Sequence, residues 1–501
     1  MSLPGPDAHD ATHAVEGAAR PLRRSARAGV LWQGVSFLGG KVLVLVATAI
    51  LARLLTPEDF GLVAFALVVI SIADVVGDFG VAQALIYLPA SKRRTDAALA
   101  TALAFSGGLV VVALLLAPVA ADFFAREEVT DLLRVLSLAL LLGATASIPE
   151  ALLRKQLLFR RAVGANLAKA FVTGAVSIGL AVGGAGPWSL VWGQLAGLLV
   201  LNVVLWSLVD HRPDLRLWRI PWAEASPLVR YGLSVASAML LSKLVFDVDY
   251  LVIGRMLGAE ALGYYTVAFR LPELGIISVF FVISAVAFPA YSQAAGDRRR
   301  LQRGYLSAVR LQSVYGAAAG AGLAVLAPAV VLVVFGPQWQ PSVIPLSALA
   351  LYAALRSLGA GANDVYKALG RPGLAVWLSL LRLALLVPAL ILGARWGIEG
   401  VAWTQTAMAG VFVLLMQGLA ARVLGLSPWV LGRAMLPAVV AAAGVAAGAG
   451  AVRVLLEESA SVTLLLGVPA GAAGGLLALR LAAPAFLREA QSTLSARTGR
   501  S

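Results

Sequence analysis

Long runs of apolar residues, separated by short polar turns, recur along the entire chain. An α-helix needs about 20 apolar residues to cross a bilayer, and the chain contains about fourteen runs of that length. The predicted spans are residues 30–51, 60–80, 97–120, 132–152, 163–184, 187–208, 229–253, 262–288, 306–336, 342–361, 373–393, 398–421, 429–451 and 461–482. The pattern therefore predicts an all-α polytopic membrane protein, and the short connections leave no room for an extramembrane catalytic domain.

Composition supports this prediction and excludes several chemistries. Of the 501 residues, 60% are hydrophobic and 13% are charged, whereas soluble proteins have roughly 45–50% and 25%. The chain has no cysteine, and its three histidines lie outside the apolar runs. It also has no phosphate-binding loop of the form G-x-x-x-x-G-K-[ST]. We therefore expect neither an enzyme nor a metal or cofactor site.

The net charge of +14 becomes informative once the basic residues are placed in loops. Of the 40 lysines and arginines, 28 fall in the loops and tails on one side of the predicted membrane and 6 in the loops on the other. We call these sides the basic face and the opposite face. Cytoplasmic loops are enriched in lysine and arginine, which predicts a multi-pass membrane protein with both termini cytoplasmic. The charge then indicates topology, and no nucleic-acid partner is needed to explain it.

The chain also contains an internal repeat. Residues 51–61 align with residues 253–263 at an offset of 202, which also matches Lys41 to Lys243. Farther on, Arg160, Gly186, Trp192 and Gln194 align with Arg371, Gly397, Trp403 and Gln405 at an offset of 211. Because six spans separate the copies, the halves have the same orientation in the membrane, which is typical of transporters.

The repeat predicts how the chain is organised. The expected parts are a disordered cytoplasmic tail (1–28), an N-terminal lobe (29–208), a cytoplasmic linker (209–228), a C-terminal lobe (229–421), two appended spans (422–485) and a second cytoplasmic tail (486–501). The lobes form two pseudo-twofold-related six-helix bundles, and the substrate path is expected between them.

Charged residues inside the predicted spans are the candidate functional groups. Each costs roughly 2.5–3.5 kcal/mol at the centre of a span, so each needs a partner or a watery cavity. We expect a central cavity whose cations bind an anionic substrate, namely Lys41, Lys243, Arg270 and Arg382. Three carboxylates are candidate proton or sodium sites that couple transport to an ion gradient, namely Asp74, Asp78 and Asp247.

Structural roles compete with these functional ones. Lys243 and Asp247 are one helical turn apart and would neutralise each other on one helix face. Arg270 and Glu273 would form a similar local pair beside Pro272. Three further pairings or placements remain open: Lys41 with Asp74 or Asp78, and snorkelling of Lys169 and Arg356 toward the membrane surface.

Several stretches resemble a known family. The segments LWQGVSF from Leu31, ARLLTPEDFGL from Ala52 and DFGVAQALI from Asp78 are similar to the N-terminal signature of bacterial polysaccharide flippases. These belong to the multidrug/oligosaccharidyl-lipid/polysaccharide exporter superfamily. Later stretches from Asp247 and from Lys367 are also similar to that family.

The resemblance implies a protein of fourteen helices and two lobes that works by alternating access. Its substrate would be an oligosaccharide linked to a lipid carrier, usually undecaprenyl pyrophosphate, which is moved to the outer leaflet for surface polysaccharide (exopolysaccharide or O-antigen) synthesis. Membrane lipids, a polysaccharide polymerase and glycosyltransferases are the expected partners. The alternatives are an ion-coupled multidrug antiporter of the same superfamily, which would need an acidic cavity, and a membrane polymerase or glycosyltransferase.

Overall fold

The chain is almost entirely helical in the computed structural model. The structure describes residues 39–78, 80–89, 91–156, 158–214, 222–359, 361–455 and 459–488, and no strand occurs in these ranges. The predicted N-terminal tail (1–28), most of the predicted C-terminal tail and part of the linker lie outside the described residues. The all-α prediction is confirmed.

Eight helices make up the described part of the first half of the chain. They are α1 (39–54), α2 (Pro57–Asp78), α3 (Val81–Tyr87), α4 (Lys92–Phe124), α5 (Glu128–Leu136), α6 (Leu138–Lys155), α7 (Phe159–Val182) and α8 (Trp188–Ser207). The start of α2 is stabilised by a capping box, because the Thr56 hydroxyl accepts a hydrogen bond from the Asp59 amide and the Asp59 carboxylate accepts one from the Thr56 amide.

The second half begins with a long helical stretch, α9 (Trp222–Pro272), which Gly258 interrupts with φ 88°. The other α-helices are α10 (Ser278–Ala294), α11 (Arg298–Val330), α12 (Val343–Leu358), α13 (Ala362–Ala368), α14 (Pro372–Gly393), α15 (Gly397–Leu424), α16 (Pro428–Leu455) and α17 (Ala460–Ala482). Two π-helical segments (Glu273–Ile277 and Val331–Phe335) and two 3₁₀ segments (Pro337–Ser342 and Ala394–Trp396) join some of them.

These helices account for the predicted spans. Eleven described segments are long and apolar enough to cross a membrane. Two of them, Met239–Ala294 and Pro372–Leu424, hold 56 and 53 residues, about twice what one pass needs. Each divides at a glycine with positive φ, Gly258 at 88° and Gly397 at 71°. Together with α1, whose start lies outside the described ranges, they give the fourteen membrane helices predicted.

The two halves meet in a reciprocal contact between α2 and the second part of α9. A methyl group built on Gly61 would lie 1.7 Å from the carbonyl oxygen of Ala259, and one built on Gly263 would lie 1.8 Å from that of Pro57. Gly61 and Gly263 are matched by the offset of 202, and so are Pro57 and Ala259. We call this the glycine contact. Its reciprocity is what a pseudo-twofold axis requires, and it supports the repeat.

A second pair of repeat-matched residues also crosses between the halves. Arg53 donates a hydrogen bond of 2.5 Å to the carbonyl oxygen of Val333, in the segment that follows α11. Its counterpart Arg255 lies 5.8 Å from the ring centre of Phe123, at the end of α4. Each copy of this arginine therefore contacts the other half, near the opposite face. The exact limits of the two lobes stay a prediction.

Trp339 joins both halves at this end of the molecule, and its loss is expected to destabilise the fold. Its fully buried ring packs edge-on against Phe60 at 5.3 Å and Tyr264 at 5.9 Å. Its indole N–H donates to the Ala52 carbonyl at 2.7 Å. Trp339→Ala should lower the free energy of unfolding by about 3–5 kcal/mol. The loss should appear as a lower apparent melting temperature in detergent. The control Trp429→Ala, at a tryptophan that is 77% exposed, should change little; equal shifts in both variants would contradict the prediction.

Candidate functional site

A cavity of about 500 Å³ lies between the two halves. Its walls come from α1, α2, both parts of α9 and the π-helical segment that follows α9. Five pairs of its lining residues are matched by the repeat offset of 202: Lys41 and Lys243, Ala64 and Thr266, Leu67 and Phe269, Val68 and Arg270, Ser71 and Glu273. The cavity therefore lies on the pseudo-twofold axis, and we call it the central cavity.

The charge of the central cavity is unevenly divided between the halves. Among the described residues, the first half contributes one charged lining residue, Lys41, whereas the second contributes Lys243, Asp247, Arg270 and Glu273. Three cations against two carboxylates leave an excess of one positive charge. The helices around the cavity are related by the pseudo-twofold axis, but the charged residues are not. Most of the charged lining residues belong to the second half.

Two local ion pairs, both predicted from their spacing, form in this cavity. Lys243 Nζ lies 2.7 Å from Asp247 Oδ2 and Arg270 Nη1 lies 3.6 Å from Glu273 Oε2. Ser71 also donates to Asp247 at 3.2 Å, which joins α2 to α9. Because the side chains of both pairs remain partly exposed to the cavity, their charges remain within reach of a ligand.

Lys41 lies on the other wall and interacts across the gap between the halves. The charges of Glu273 and Arg270 both act on it. Lys41 therefore interacts with charged side chains of the second half. Asp74 interacts instead with the charges of Lys169 and Lys243. The repeat-matched lysines Lys41 and Lys243 both line this cavity, and their role in substrate binding stays a prediction.

The structure describes the surroundings of two of the three predicted ion-coupling carboxylates, Asp74 and Asp247. Asp74 is exposed on α2, opposite Gly143 of α6, and shares an electrostatic environment with Lys169. Asp247 is 13% exposed and lines the central cavity. Asp78 ends α2, but its side chain lies outside the described part of the structure. Lys169 is half-buried near Asp74 and Glu150, so its surroundings include two carboxylates.

Arg382 lies apart from the other three predicted cations. It lines a second cavity, of about 330 Å³, inside the second half of the chain. Arg356 lines this cavity as well, where its guanidinium lies 4.2 Å from the ring centre of Phe246. The interpretation of Arg356 as a snorkelling residue is therefore replaced by a placement in this C-terminal cavity, as we call it.

Two buried polar residues near these cavities were not among the predicted site residues, although Asp249 is a charged residue inside a predicted span. Asp249 is 3% exposed and accepts a hydrogen bond of 2.7 Å from Tyr265. Gln312 is 1% exposed, lines the C-terminal cavity, and its Oε1 has no hydrogen-bond partner among the described residues. An isolated glutamine within an apolar run gives no pattern from which its direction could be predicted.

The fold and the central cavity together define a class, the membrane transporters built from two like-oriented halves with a binding cavity between them. The chain belongs to the polysaccharide biosynthesis protein family, which it matches over residues 50–344. This confirms the family resemblance predicted from the sequence.

Three characterised relatives match about three quarters of the chain. It is 26% identical over 384 residues to the lipopolysaccharide biosynthesis protein WzxC of Escherichia coli, covering 75% of this chain and 76% of the relative. It is 27% identical over 379 residues to the succinoglycan biosynthesis transport protein ExoT of Rhizobium meliloti, covering 74% and 75%. It is 25% identical over 374 residues to the teichuronic acid biosynthesis protein TuaB of Bacillus subtilis, covering 71% and 74%.

Solved structures share the fold at low sequence identity. The lipid II flippase MurJ in an inward closed conformation has a TM-score of 0.68 at 12% identity, covering 90% of this chain and 99% of MurJ. A MATE family multidrug resistance transporter in an inward-facing conformation has a TM-score of 0.58 at 18% identity, covering 78% and 94%. Both likenesses extend over most of the fourteen-helix architecture.

Proposed function

We propose that this protein is a flippase that moves lipid-linked oligosaccharide units across the membrane for surface polysaccharide synthesis. The observation that carries the proposal is the central cavity, where repeat-matched Lys41 and Lys243 lie on facing halves with Arg270. An excess of positive charge between two mobile halves suits a pyrophosphate headgroup, and undecaprenyl pyrophosphate is the carrier that the family resemblance implies. The family match and the printed names of WzxC and ExoT support the same assignment.

The orientation completes a mechanism by alternating access. With the basic face in the cytoplasm of the bacterial inner membrane, both termini are cytoplasmic and the glycine contact closes the outer end. The central cavity then lies on the cytoplasmic side of that contact and receives the headgroup, while the lipid tail stays in the bilayer between the halves. Rocking of the halves would separate Gly61 from Ala259 and Gly263 from Pro57, opening the cavity outward.

Coupling to an ion gradient belongs to the same proposal. Asp74, Asp78 and Asp247 are the candidate sites for a proton or a sodium ion, and no other cofactor is proposed. Asp247 is best placed to couple binding to protonation, because it is paired with Lys243 in the cavity itself. A change in its charge would alter how strongly Lys243 attracts an anion. We propose no chemical step on the substrate, and a polysaccharide polymerase and glycosyltransferases are the expected partners.

The multidrug antiporter is the weaker alternative. A cavity that binds organic cations would need an excess of carboxylates, whereas the described lining of the central cavity has three cations and two carboxylates. The shared fold with a MATE transporter does not distinguish the two functions, because one fold hosts many functions. The charge of the cavity therefore favours an anionic substrate.

Deletion of the gene in its own host tests the proposed function. We expect surface polysaccharide to be lost and lipid-linked repeat units to accumulate, because their synthesis continues while their export stops. Mass spectrometry of extracted lipids measures the second effect, and the wild-type gene supplied on a plasmid should reverse both. A deletion strain that keeps its polysaccharide and shows no such lipids would reject the flippase assignment.

A further inference from the structure

The C-terminal cavity is a separate space that adjoins the central one. Its walls come from α9 to α15, all in the second half of the chain. Phe246 and Ile277 line both cavities, so a ligand in one is a single side chain away from the other. At about 330 Å³ it is at the lower end of the roughly 300–1,000 Å³ range of ligand pockets, which suits part of an oligosaccharide rather than a whole repeat unit.

Two arginines of the cavity wall donate hydrogen bonds to one oxygen atom, that of the buried Tyr352 behind the lining. Arg356 Nη1 lies 2.9 Å and Arg382 Nη2 lies 3.4 Å from the hydroxyl oxygen of Tyr352. Aromatic rings hold both guanidinium groups, since Arg356 lies 4.2 Å from the ring centre of Phe246 and Arg382 lies 5.9 Å from that of Phe412. The two positive charges are thus fixed close together, in an arrangement that a bound anion would stabilise.

Among the described residues, no carboxylate lies in salt-bridge contact with either arginine. In the described part of the chain, neither Arg356 nor Arg382 forms an ion pair, and Arg382 Nε is buried without a hydrogen-bond partner. Asp364 lines the cavity but accepts a hydrogen bond from Ser284. Asp249 acts on Arg382 from outside the lining and is held by Tyr265. With Lys367 also in the wall, three cations face one carboxylate.

The other lining groups suit a sugar. The unpartnered Oε1 of Gln312 can accept a hydrogen bond from a hydroxyl group. Phe246, Phe280 and Phe412 provide apolar faces, and pockets of this kind combine aromatic walls with a few polar groups that fix orientation. A guanidinium fork binds a carboxylate through two parallel hydrogen bonds.

We propose that the C-terminal cavity is a subsite for an acidic sugar, in which Arg356 and Arg382 bind the carboxylate of a uronic acid in the repeat unit. The proposal rests on the flippase function above and names the substrate class it serves. The pyrophosphate stays in the central cavity, because that cavity lies between the halves where a lipid tail can remain in the bilayer. The C-terminal cavity is enclosed by helices of one half and takes the sugar end.

Paired substrates in proteoliposomes test this assignment. The probes are two undecaprenyl pyrophosphate-linked disaccharides that differ only in the terminal sugar, glucuronic acid or glucose. Impermeant periodate, which oxidises only the sugars exposed outside, measures the rate of flipping. We expect the wild-type protein to move the acidic probe about tenfold faster. Arg382→Gln and Arg356→Gln should each slow the acidic probe about tenfold and change the neutral one by less than about twofold.

Two further variants separate charge from geometry. Arg382→Lys keeps the charge but lacks the fork, so the acidic probe should again slow while the neutral one does not. If Arg382→Gln is missing from the membrane, Arg382→Lys and Arg356→Gln provide the same comparison. Arg395→Gln, at an exposed arginine just beyond α14, is the matched control and should leave both rates unchanged.

The outcomes that overturn the proposal differ from those that overturn the flippase function. Equal slowing of both probes in the arginine variants would assign these residues to the shared pyrophosphate and reject the acidic-sugar subsite. Unchanged rates for both probes would reject any contact with substrate. A wild-type protein that moves neither probe would reject the flippase function, and the subsite with it.

Discussion

Replacing both Lys41 and Lys243 with alanine is expected to lower transport of the lipid-linked oligosaccharide by about 100-fold, with a normal amount of protein in the membrane. A hydrogen bond to a charged group contributes about 1.5–3 kcal/mol, and each 1.4 kcal/mol corresponds to about tenfold. The two lysines lie on facing walls of the central cavity, so losing both removes one cation from each side of the pseudo-twofold axis and leaves Arg270. Initial rates in proteoliposomes measure the effect.

The control must allow for the ion pair that Lys243 forms. Lys243→Ala alone leaves Asp247 without its partner at 2.7 Å, and this uncompensated charge would itself repel an anion. Lys243→Ala combined with Asp247→Asn removes both charges and isolates the contribution of the lysine. Lys92→Ala, at an exposed residue at the start of α4, should transport normally. Unchanged transport in the Lys41 and Lys243 double variant would exclude a role for these residues in binding.

The second large effect is expected at the glycine contact. Gly61→Ala and Gly263→Ala each place a methyl group less than 2 Å from a backbone carbonyl oxygen, at 1.7 Å and 1.8 Å. No side-chain rotation relieves such a clash, so α2 and α9 must separate. Overpacking of this kind costs about 1–3 kcal/mol or more. We expect transport to fall at least about tenfold in each variant, because the state closed at this end becomes less populated.

Pseudo-symmetry sharpens this test. Because the contact is reciprocal, the two substitutions should lower the apparent melting temperature in detergent by similar amounts. Gly107→Ala on α4 is the matched control, since nothing lies within 4 Å of the added methyl group. Normal stability and transport in both contact variants would mean that the helices do not pack this closely during the cycle. A large effect at only one glycine would contradict the reciprocity.

Sequence patterns were sufficient for features that depend on length, spacing and repetition. The apolar runs predicted the helices because a bilayer imposes a minimum length on each span. The four-residue spacing of Lys243 and Asp247 predicted their ion pair because it places them on one helix face. The repeat placed Lys41 and Lys243 together because a twofold axis brings equivalent residues to the same cavity.

The direction in which a residue faces could not be predicted where a helix is apolar on all sides. Arg382 lies on α14, whose other residues are almost all apolar, so depth in the membrane gave no indication that it faces the C-terminal cavity. The position of Arg356 near a helix end left snorkelling toward the membrane surface open, whereas the structure places its guanidinium against Phe246 and Tyr352. Contacts between helices determine the direction in which such a side chain faces, and the residue pattern of one helix does not contain that information.

The uneven division of charge in the central cavity has a consequence for how such a protein diversifies. Both copies of the repeat supply the glycine contact, so loss of the glycine from either copy is expected to weaken the contact that closes this end of the central cavity. Recognition, by contrast, is concentrated in the second copy, which supplies four of the five charged residues of the central cavity and the whole C-terminal cavity. A new cargo can therefore be accommodated by substitutions in one copy while the other preserves the seal, which is the freedom that duplication of a gene provides.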